Sequence, residues 1–152
     1  MKRIFLISTI VKLLFLTTTS VANTGNIPEG GNGPVVISMT NETFKQLVFN
    51  YEKSKTWKFE GNVPVIIDFN ASWCPPCRQL SPIIEEIAKE YSGKIVVYKV
   101  DTDKEQKLAQ SMGITSLPTL LFIPVKGQPQ ASVGFVPKET LVKAIKDVLL
   151  VK

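Results

Sequence analysis

The segment from Val63 to Phe69 reads Val-Pro-Val-Ile-Ile-Asp-Phe, which is a nearly continuous apolar run. Such a run is typical of a strand buried on both faces of a sheet, because a half-exposed strand alternates apolar with polar residues. A helix pattern with one apolar side follows it. Its apolar positions are Leu80, Ile83, Ile84, Ile87, Ala88 and Tyr91. A doubly buried strand followed by an amphipathic helix predicts an α/β domain with helices on both faces of the sheet.

The rest of the chain continues this alternation of strand and helix patterns. Further strands are predicted at 35–39, 95–100, 119–123 and 130–135. Further helices are predicted over 40–48, 103–111 and 137–149. The order β-α-β-α-β-α-β-β-α favours parallel strands, with an antiparallel hairpin that turns at Lys126-Gly127 near the end. The predicted fold class is α/β, with a central mixed sheet of about five strands flanked by about four helices.

The first 22 residues have the pattern of a secretory signal peptide. The basic start Met1-Lys2-Arg3 precedes an apolar stretch from Ile4 to Leu16, and small residues continue to Ala22. The alternative is a retained membrane anchor. A spanning helix needs about 20 apolar residues, however, and this stretch is shorter and contains Lys12. We therefore expect cleavage near Ala22 and a periplasmic or secreted protein.

Residues 23–34 contain four glycines and two prolines, which is typical of a flexible tether. The folded domain is therefore expected at 35–152. The whole chain has 18 Lys and Arg residues against 13 Asp and Glu residues. Three of the basic residues lie in the predicted signal peptide, which leaves 15 basic against 13 acidic residues, a net charge of +2. This small excess gives no case for nucleic-acid binding.

The chain contains no histidine and only two cysteines, Cys74 and Cys77. A Ser-His-Asp triad, a Cys-His nucleophile and a histidine-ligated metal are therefore excluded. Two cysteines cannot complete a four-ligand zinc site within one chain, so we expect no metal site. Arg78 directly after Cys77 excludes the covalent haem motif C-x-x-C-H.

The two cysteines lie where the buried strand passes into the amphipathic helix, in the order Cys74-Pro75-Pro76-Cys77. Functional sites of open α/β sheets form beyond the carboxyl ends of strands. At a helix N-terminus, unpaired N–H groups and the helix dipole favour the thiolate of Cys74. Cys77 lies one turn later, close enough to form a disulfide. Pro75 and Pro76 fix backbone angles in the first turn.

Two other interpretations of this pair are open. An inert disulfide clip would close a very small loop, and the stabilisation that a disulfide provides grows with the length of the loop. Half of an intermolecular zinc site would need further ligands, and no other ligand cluster is present. The spacing and context therefore favour redox chemistry.

The stretch Asp68–Cys77, followed by Pro82 and by Ser116-Leu117-Pro118-Thr119, resembles the thioredoxin family. The resemblance covers the chain from residue 35 to its end and implies the thioredoxin fold and dithiol–disulfide exchange. It further implies that Cys74 is the attacking thiol and Cys77 the resolving thiol, with no cofactor beyond their disulfide.

The resemblance also implies a substrate-binding surface around the cysteines. Pro118 is expected to follow a cis peptide bond beside the disulfide, and Gly134 is expected to leave room for a bound polypeptide. Trp73 and Leu117 are expected to complete this surface. The alternatives are that Trp73 is an ordinary core residue and that Pro118 is an ordinary trans proline.

Asp68 lies inside the buried apolar run, where an ionised carboxylate is costly to bury. We therefore expect burial to raise its pKa, which suits a proton acceptor near neutral pH. The resemblance implies that Asp68 takes the proton of Cys77, through water. The alternative is an aspartate that only forms hydrogen bonds near the end of the strand.

Two positions depart from the usual pattern of the family. The dipeptide between the cysteines is usually Gly-Pro and is Pro75-Pro76 in this chain. This dipeptide tunes the reduction potential, which spans roughly 150 mV among family members. The lysine that often neighbours the buried acid is absent from its expected strand position, which holds Val97. Lys99 points to the same side of the strand and is the candidate to replace it. The alternative is that burial alone sets the pKa of Asp68.

Together these features predict an exported protein-disulfide reductase. Its expected partners are disulfide-containing client proteins and an external dithiol donor, for which a membrane electron carrier is a candidate. We expect a monomer. The alternatives are an oxidant or isomerase of exported disulfides, which the absence of histidine between the cysteines disfavours, and a non-catalytic binding module of the same fold.

Overall fold

A computed structural model describes residues 35–152, so the predicted signal peptide and tether lie outside the described residues. The strands are β1 Val36–Ser38, β2 Val65–Asn70, β3 Val96–Asp101, β4 Thr119–Ile123 and β5 Gln130–Val133. The helices are α1 Asn41–Leu47, α2 Pro75–Glu90, α3 Gln106–Ser111 and α4 Lys138–Asp147. The predicted α/β class and the predicted order of elements are confirmed.

The five strands form one mixed sheet in the order β1-β3-β2-β4-β5. Strands β1 and β2 run parallel to β3, whereas β4 runs antiparallel to both β2 and β5. All six residues of the central strand β2 are buried. The apolar run therefore does form the doubly covered strand that its composition predicts.

Apolar clusters lie on both faces of the sheet, and successive residues of β2 contribute to opposite clusters. Ile66 belongs to the cluster formed with α2 and α4, and Ile67 belongs to the cluster formed with α1 and α3. The helix residues of the first cluster include Leu80, Ile84, Ile87, Leu141 and Ile145. Those of the second include Phe44 and Leu108. Each face is thus covered by two helices, which keeps β2 away from water.

Local signals explain where α1 begins and where β5 ends. Thr40 caps α1, because its hydroxyl accepts from the Thr43 N–H while the Thr43 hydroxyl accepts from the Thr40 N–H. Gly134 has a φ of +89°, a conformation that favours glycine and that does not continue a strand. The predicted strand 130–135 therefore ends at Val133.

Three predicted helices are shorter in the structure than their patterns suggest, and one of them is α4, which was predicted over 137–149 and spans Lys138–Asp147. Helix α1 ends at Leu47, and Val48 forms its C-cap. The helix predicted over 103–111 begins only at Gln106, because the preceding residues form a turn in which the N–H groups of Lys104 and Glu105 donate to the Asp101 carbonyl. These differences lie at the ends of elements. The apolar spacing continues past the C-terminal ends of α1 and α4, whereas the residues 103–105 before α3 are all charged.

Helix α2 is the longest helix of the described part and is clearly one-sided. Its 16 residues continue through Pro82, although a proline removes one backbone hydrogen bond from a helix interior. Between residues 35 and 152, no helix combines the length and the apolar character that crossing a bilayer requires.

Candidate active site

Cys74 and Cys77 form a disulfide at the N-terminus of α2, with the two sulfurs 2.05 Å and the two Cα atoms 5.3 Å apart. Cys74 is the N-cap residue, and its Sγ accepts a hydrogen bond from the Cys77 N–H at 3.3 Å. Pro75 and Pro76 begin the helix, where an N–H group would have no intrahelical partner. The predicted position of the cysteines is confirmed, and it favours a thiolate at Cys74.

A groove of about 400 Å³ lies beside Cys74. Its lining comes chiefly from two segments, residues 73–76 before and within α2 and residues 114–117 before β4. The Trp73 side chain is 64% exposed, whereas Cys74 is only 2% exposed. The indole is therefore open to solvent while the reactive sulfur is almost covered.

The segment before β4 meets the disulfide directly. Leu117 packs against the small buried cluster that contains both cysteines, and the Leu117–Pro118 peptide bond is cis, as the resemblance implies. The Gly134 N–H donates to the Pro118 carbonyl at 2.7 Å. Among residues 35–152, apart from Gly134 and its two neighbours in sequence, no atom lies within 4 Å of the point where a Cβ of residue 134 would stand, so this position is open. The structure thus joins Gly134 to the cis proline beside the cysteines.

Asp68 is 1% exposed and lies on the face of β2 that packs against α2 and α4, the same face as Ile66. Burial raises the pKa of Asp68 from its ordinary value of 3.8 to about 6, and the positive charge of Lys99 lowers it in part. Within the described residues, its Oδ1 has no hydrogen-bond partner. The expected upward change of this pKa is confirmed, and burial is its main cause.

Lys99 on β3 lies opposite Asp68 in the strand register, and Val97 lies opposite Ile66. The expectation that Val97 stands at the position beside the buried acid is therefore wrong, since that position belongs to Lys99. Lys99 Nζ lies 3.4 Å from the hydroxyl of Ser81, which in turn donates to the Cys77 carbonyl. This polar path connects the centre of the sheet to the first turn of α2.

Trp73 contacts an acidic residue that the sequence did not indicate. Its Nε1–H donates to both carboxylate oxygens of Asp103, at 2.9 and 3.2 Å. The high exposure of Trp73 excludes the alternative of an ordinary core residue. Asp103 lies just beyond the carboxyl end of β3, the strand beside β2. A position at the carboxyl end of a strand is the one sequence feature that could have indicated Asp103 as a site residue.

The described residues hold no group of three or more His, Cys, Asp or Glu side chains placed to bind a metal ion. The chemistry that this arrangement can perform is that of the disulfide itself, which opens to two thiols when it gains two electrons and two protons.

Comparison with known proteins agrees with this chemistry. The thioredoxin family profile matches residues 35–147. A thioredoxin of Borreliella burgdorferi is 51% identical over 113 residues, which cover 74% of this chain and 97% of that protein. The M-type chloroplastic thioredoxin of Spinacia oleracea is 41% identical over 115 residues, which cover 75% of this chain and 64% of that protein. The crystal structure of chloroplastic thioredoxin z matches with a TM-score of 0.61 at 26% identity, covering 72% of this chain and 90% of that one.

The fold and the disulfide together define a protein-disulfide oxidoreductase. The chain belongs to the thioredoxin family, whose members act on disulfide-containing substrates. They need no cofactor, because the redox-active disulfide is part of the protein.

Replacing Asp68 by asparagine should stabilise the oxidised protein at neutral and alkaline pH. A carboxyl group whose pKa is about 6 in the folded protein and 3.8 in the unfolded chain binds its proton more tightly in the folded state. The free energy of unfolding therefore falls as the pH rises from 3.8 to about 6. Asp68→Asn removes this loss. We expect the free energy of unfolding to rise by about 2–3 kcal/mol near pH 8 and to change little near pH 4.

Denaturant unfolding at the two pH values measures the effect. The exposed Asp147 provides a matched control, and Asp147→Asn should show no gain that appears only at the higher pH. A gain from Asp68→Asn that is equal at both pH values would show that the buried charge is not its cause.

Proposed function

We propose that this protein is an exported thioredoxin that reduces disulfides of other exported proteins. The observation that carries the proposal is the Cys74–Cys77 disulfide at the N-terminus of α2, beside a groove that is open to solvent. The family supplies the reaction class. The signal-like pattern of residues 1–22 supports export, and the tether 23–34 would then connect the processed end to the domain at 35–152.

The reaction begins with the reduced protein and proceeds in two exchanges. The Cys74 thiolate attacks one sulfur of a client disulfide, so that the client S–S bond breaks and a Cys74–client disulfide forms. The departing client sulfur leaves as a thiolate and takes up a proton. Cys77 then attacks the Cys74 sulfur, which forms the Cys74–Cys77 disulfide and releases the second client thiolate. Two electrons pass from the protein to the client.

Asp68 assists the second exchange as the acceptor of the Cys77 proton, through water. Because its pKa is about 6, Asp68 is mostly ionised at neutral pH and can accept a proton. This pKa is also close enough to pH 7 for the carboxyl group to release the proton again readily. The hydrogen bonds from Lys99 to the Ser81 hydroxyl and from that hydroxyl to the Cys77 carbonyl support this role. They connect the strand pair that contains Asp68 and Lys99 with the helical turn that carries Cys77.

We propose that the client binds to four residues around the disulfide, namely Trp73, Leu117, Pro118 and Gly134. Trp73 and Leu117 line one groove, and Gly134 is hydrogen-bonded to Pro118 at the edge of the same site. An extended client backbone fits the open position at Gly134, because no side chain occupies it. Recognition of backbone and apolar surface selects a client only weakly by its sequence.

The oxidised protein has to be reduced again by an external dithiol donor. We propose a membrane electron carrier for this step and a monomer as the working form. The second candidate function is oxidation or isomerisation of exported disulfides. It rests on Pro75-Pro76, which replaces the usual dipeptide at the position that tunes the reduction potential.

Single serine substitutions at the two cysteines should give different defects. Cys74→Ser should abolish the reduction of insulin by the protein with a dithiol donor, because the attacking sulfur is absent. Cys77→Ser should still attack and should accumulate a mixed disulfide that gel electrophoresis without reductant reveals. Each variant is the control for the other. Full activity of Cys74→Ser would contradict the assignment of the nucleophile.

Equilibration with glutathione buffers should show a potential near the reducing end of the family range. A pair near about −270 mV is roughly 99% oxidised in a buffer poised at about −200 mV. Trapping of free thiols followed by mass measurement gives the oxidised fraction. A pair that stays mostly reduced in this mixture would favour the oxidant instead of the reductase.

Expression of the full chain in a bacterium with two membranes tests export. The protein recovered from the periplasmic fraction should have the mass of a chain that begins at Asn23. Leu14→Arg, which interrupts the apolar stretch, should leave uncleaved protein inside the cell. Intact chain held in the membrane fraction would instead support the retained anchor.

A further inference from the structure

Asn70 is a buried polar residue to which neither the family resemblance nor the steps above assign a role. It ends β2, is 5% exposed, and lies two residues after Asp68 on the same side of the strand. Its side-chain amide Nδ2 donates to the Asp68 carbonyl at 3.0 Å and to the Val100 carbonyl at 3.2 Å. The same nitrogen lies 3.4 Å from Oδ2 of the Asp68 carboxylate.

We propose that Asn70 is a positioning residue of the exchange reaction, whose amide N–H holds the Asp68 carboxylate and stabilises its charged form. This inference rests on the proposed role of Asp68 as the acceptor of the Cys77 proton. Asn70 acts through Asp68 and does not touch the sulfurs.

The surroundings of Asp68 leave the amide as its nearest donor. In the part of the chain that the structure describes, Asn70 Nδ2 makes the one hydrogen bond to the Asp68 carboxylate, at Oδ2, and Oδ1 has no partner. Lys99 lies opposite Asp68 on β3, but the two form no ion pair within 4.0 Å in that part of the chain, and the Lys99 ammonium is directed to Ser81. The Asn70 amide therefore makes a direct contact with the Asp68 carboxylate, whereas the Lys99 ammonium does not.

The other groups around Asp68 cannot take over this role. On β4, its register partner is the apolar Leu120, and Ile66 precedes it on the same face of β2. The buried residues that α4 contributes to this face, Leu141 and Ile145, are apolar. The buried residues that α2 contributes to this face, which include Leu80 and Ile84, are apolar as well, and the buried Cys77 titrates only in the reduced protein, where it is the proposed proton donor. Lys99 and Asn70 are thus the two groups that favour a charged Asp68.

The amide has two protons for three acceptors, and the geometry shows how it divides them. The two backbone carbonyls are the closer acceptors, and the carboxylate is a longer, shared contact. A shared contact strengthens when its acceptor becomes charged, because hydrogen bonds to ionised groups are stronger than those between neutral groups. The amide therefore favours the state of Asp68 that can accept a proton.

The experiment follows the resolving step in the reduced protein. An aromatic disulfide that releases a coloured thiol reacts first with Cys74, and a second release then reports the attack of Cys77. The rate of the second release is measured across pH. Asn70→Ala should move the midpoint of this profile upward by about half to one pH unit, which slows the step about two- to fivefold near pH 6 and leaves it nearly unchanged near pH 9.

Two further substitutions at the same position give a graded series. Asn70→Ser keeps a hydroxyl donor and should move the midpoint by less than Asn70→Ala does. Asn70→Asp places a second carboxylate beside Asp68 and should move it further, because like charges raise each other's pKa. The matched control is Asn41→Ala, since Asn41 is also buried and hydrogen-bonded, to Tyr51, but lies on α1. Asn41→Ala should lower stability and leave the midpoint in place.

Asp68→Asn separates failure of this inference from failure of the proposed function. If Asp68→Asn leaves the pH profile unaltered, the proton role of Asp68 fails and the role of Asn70 with it. If Asp68→Asn removes the midpoint but all three Asn70 variants retain it at its original pH, Asn70 is a structural residue only and the inference alone is overturned. In an Asp68→Asn background, Asn70→Ala should have no further effect on the profile.

Discussion

The burial of β2 is the constraint on which the rest of the structure depends. The strand lies between β3 and β4, with two helices on each face, and none of its six residues reaches solvent appreciably. Its position carries Asp68 into an apolar layer and delivers the chain to the N-terminus of α2, where Cys74 caps the helix. The positions of the Asp68 carboxyl group and of the Cys74 sulfur thus both depend on one element, and a strand at the edge of the sheet could not place either of them.

Two independent physical effects prepare the site for chemistry without an imidazole. The N–H groups at the start of α2 stabilise negative charge on Cys74, and this effect comes from the direction of the helix. Removal of Asp68 from water makes its proton harder to lose, and this effect comes from burial. Because the two effects arise from different parts of the fold, each can be altered by substitution without the other.

The parts of the fold with strong periodicity could be predicted from the sequence. The run that forms β2 and the one-sided spacing of α2 are long patterns that tertiary packing reinforces, and Cys74, Cys77 and Asp68 were found at their junction. The ends of elements were less predictable. The turn that delays α3 depends on hydrogen bonds to the Asp101 carbonyl, and β5 stops at the backbone conformation of Gly134. Apolar spacing carries no information about either.

The site residues that escaped prediction, Asn70 and Asp103, lie at or just beyond the ends of strands. Asn70 contacts Asp68 of its own strand and Asp103 contacts Trp73, and an apolar pattern shows neither these contacts nor how two strands are aligned. The same uncertainty led to Val97 in place of Lys99, a difference of two residues along β3. Period-two alternation gave the correct face of the strand, but only the pairing of β2 with β3 gives the correct neighbour.

The near-complete burial of Cys74 beside an exposed Trp73 has a consequence for the choice of client. The Cys74 sulfur cannot extend toward a distant bond, so a client disulfide that reacts with it has to enter the groove and approach along the line of the breaking bond. A disulfide enclosed in a well-packed client cannot make that approach, whereas one in an unfolded or strained segment can. Selection by steric access would let one enzyme spare correctly folded proteins and act on misfolded ones, with no need to read their sequences.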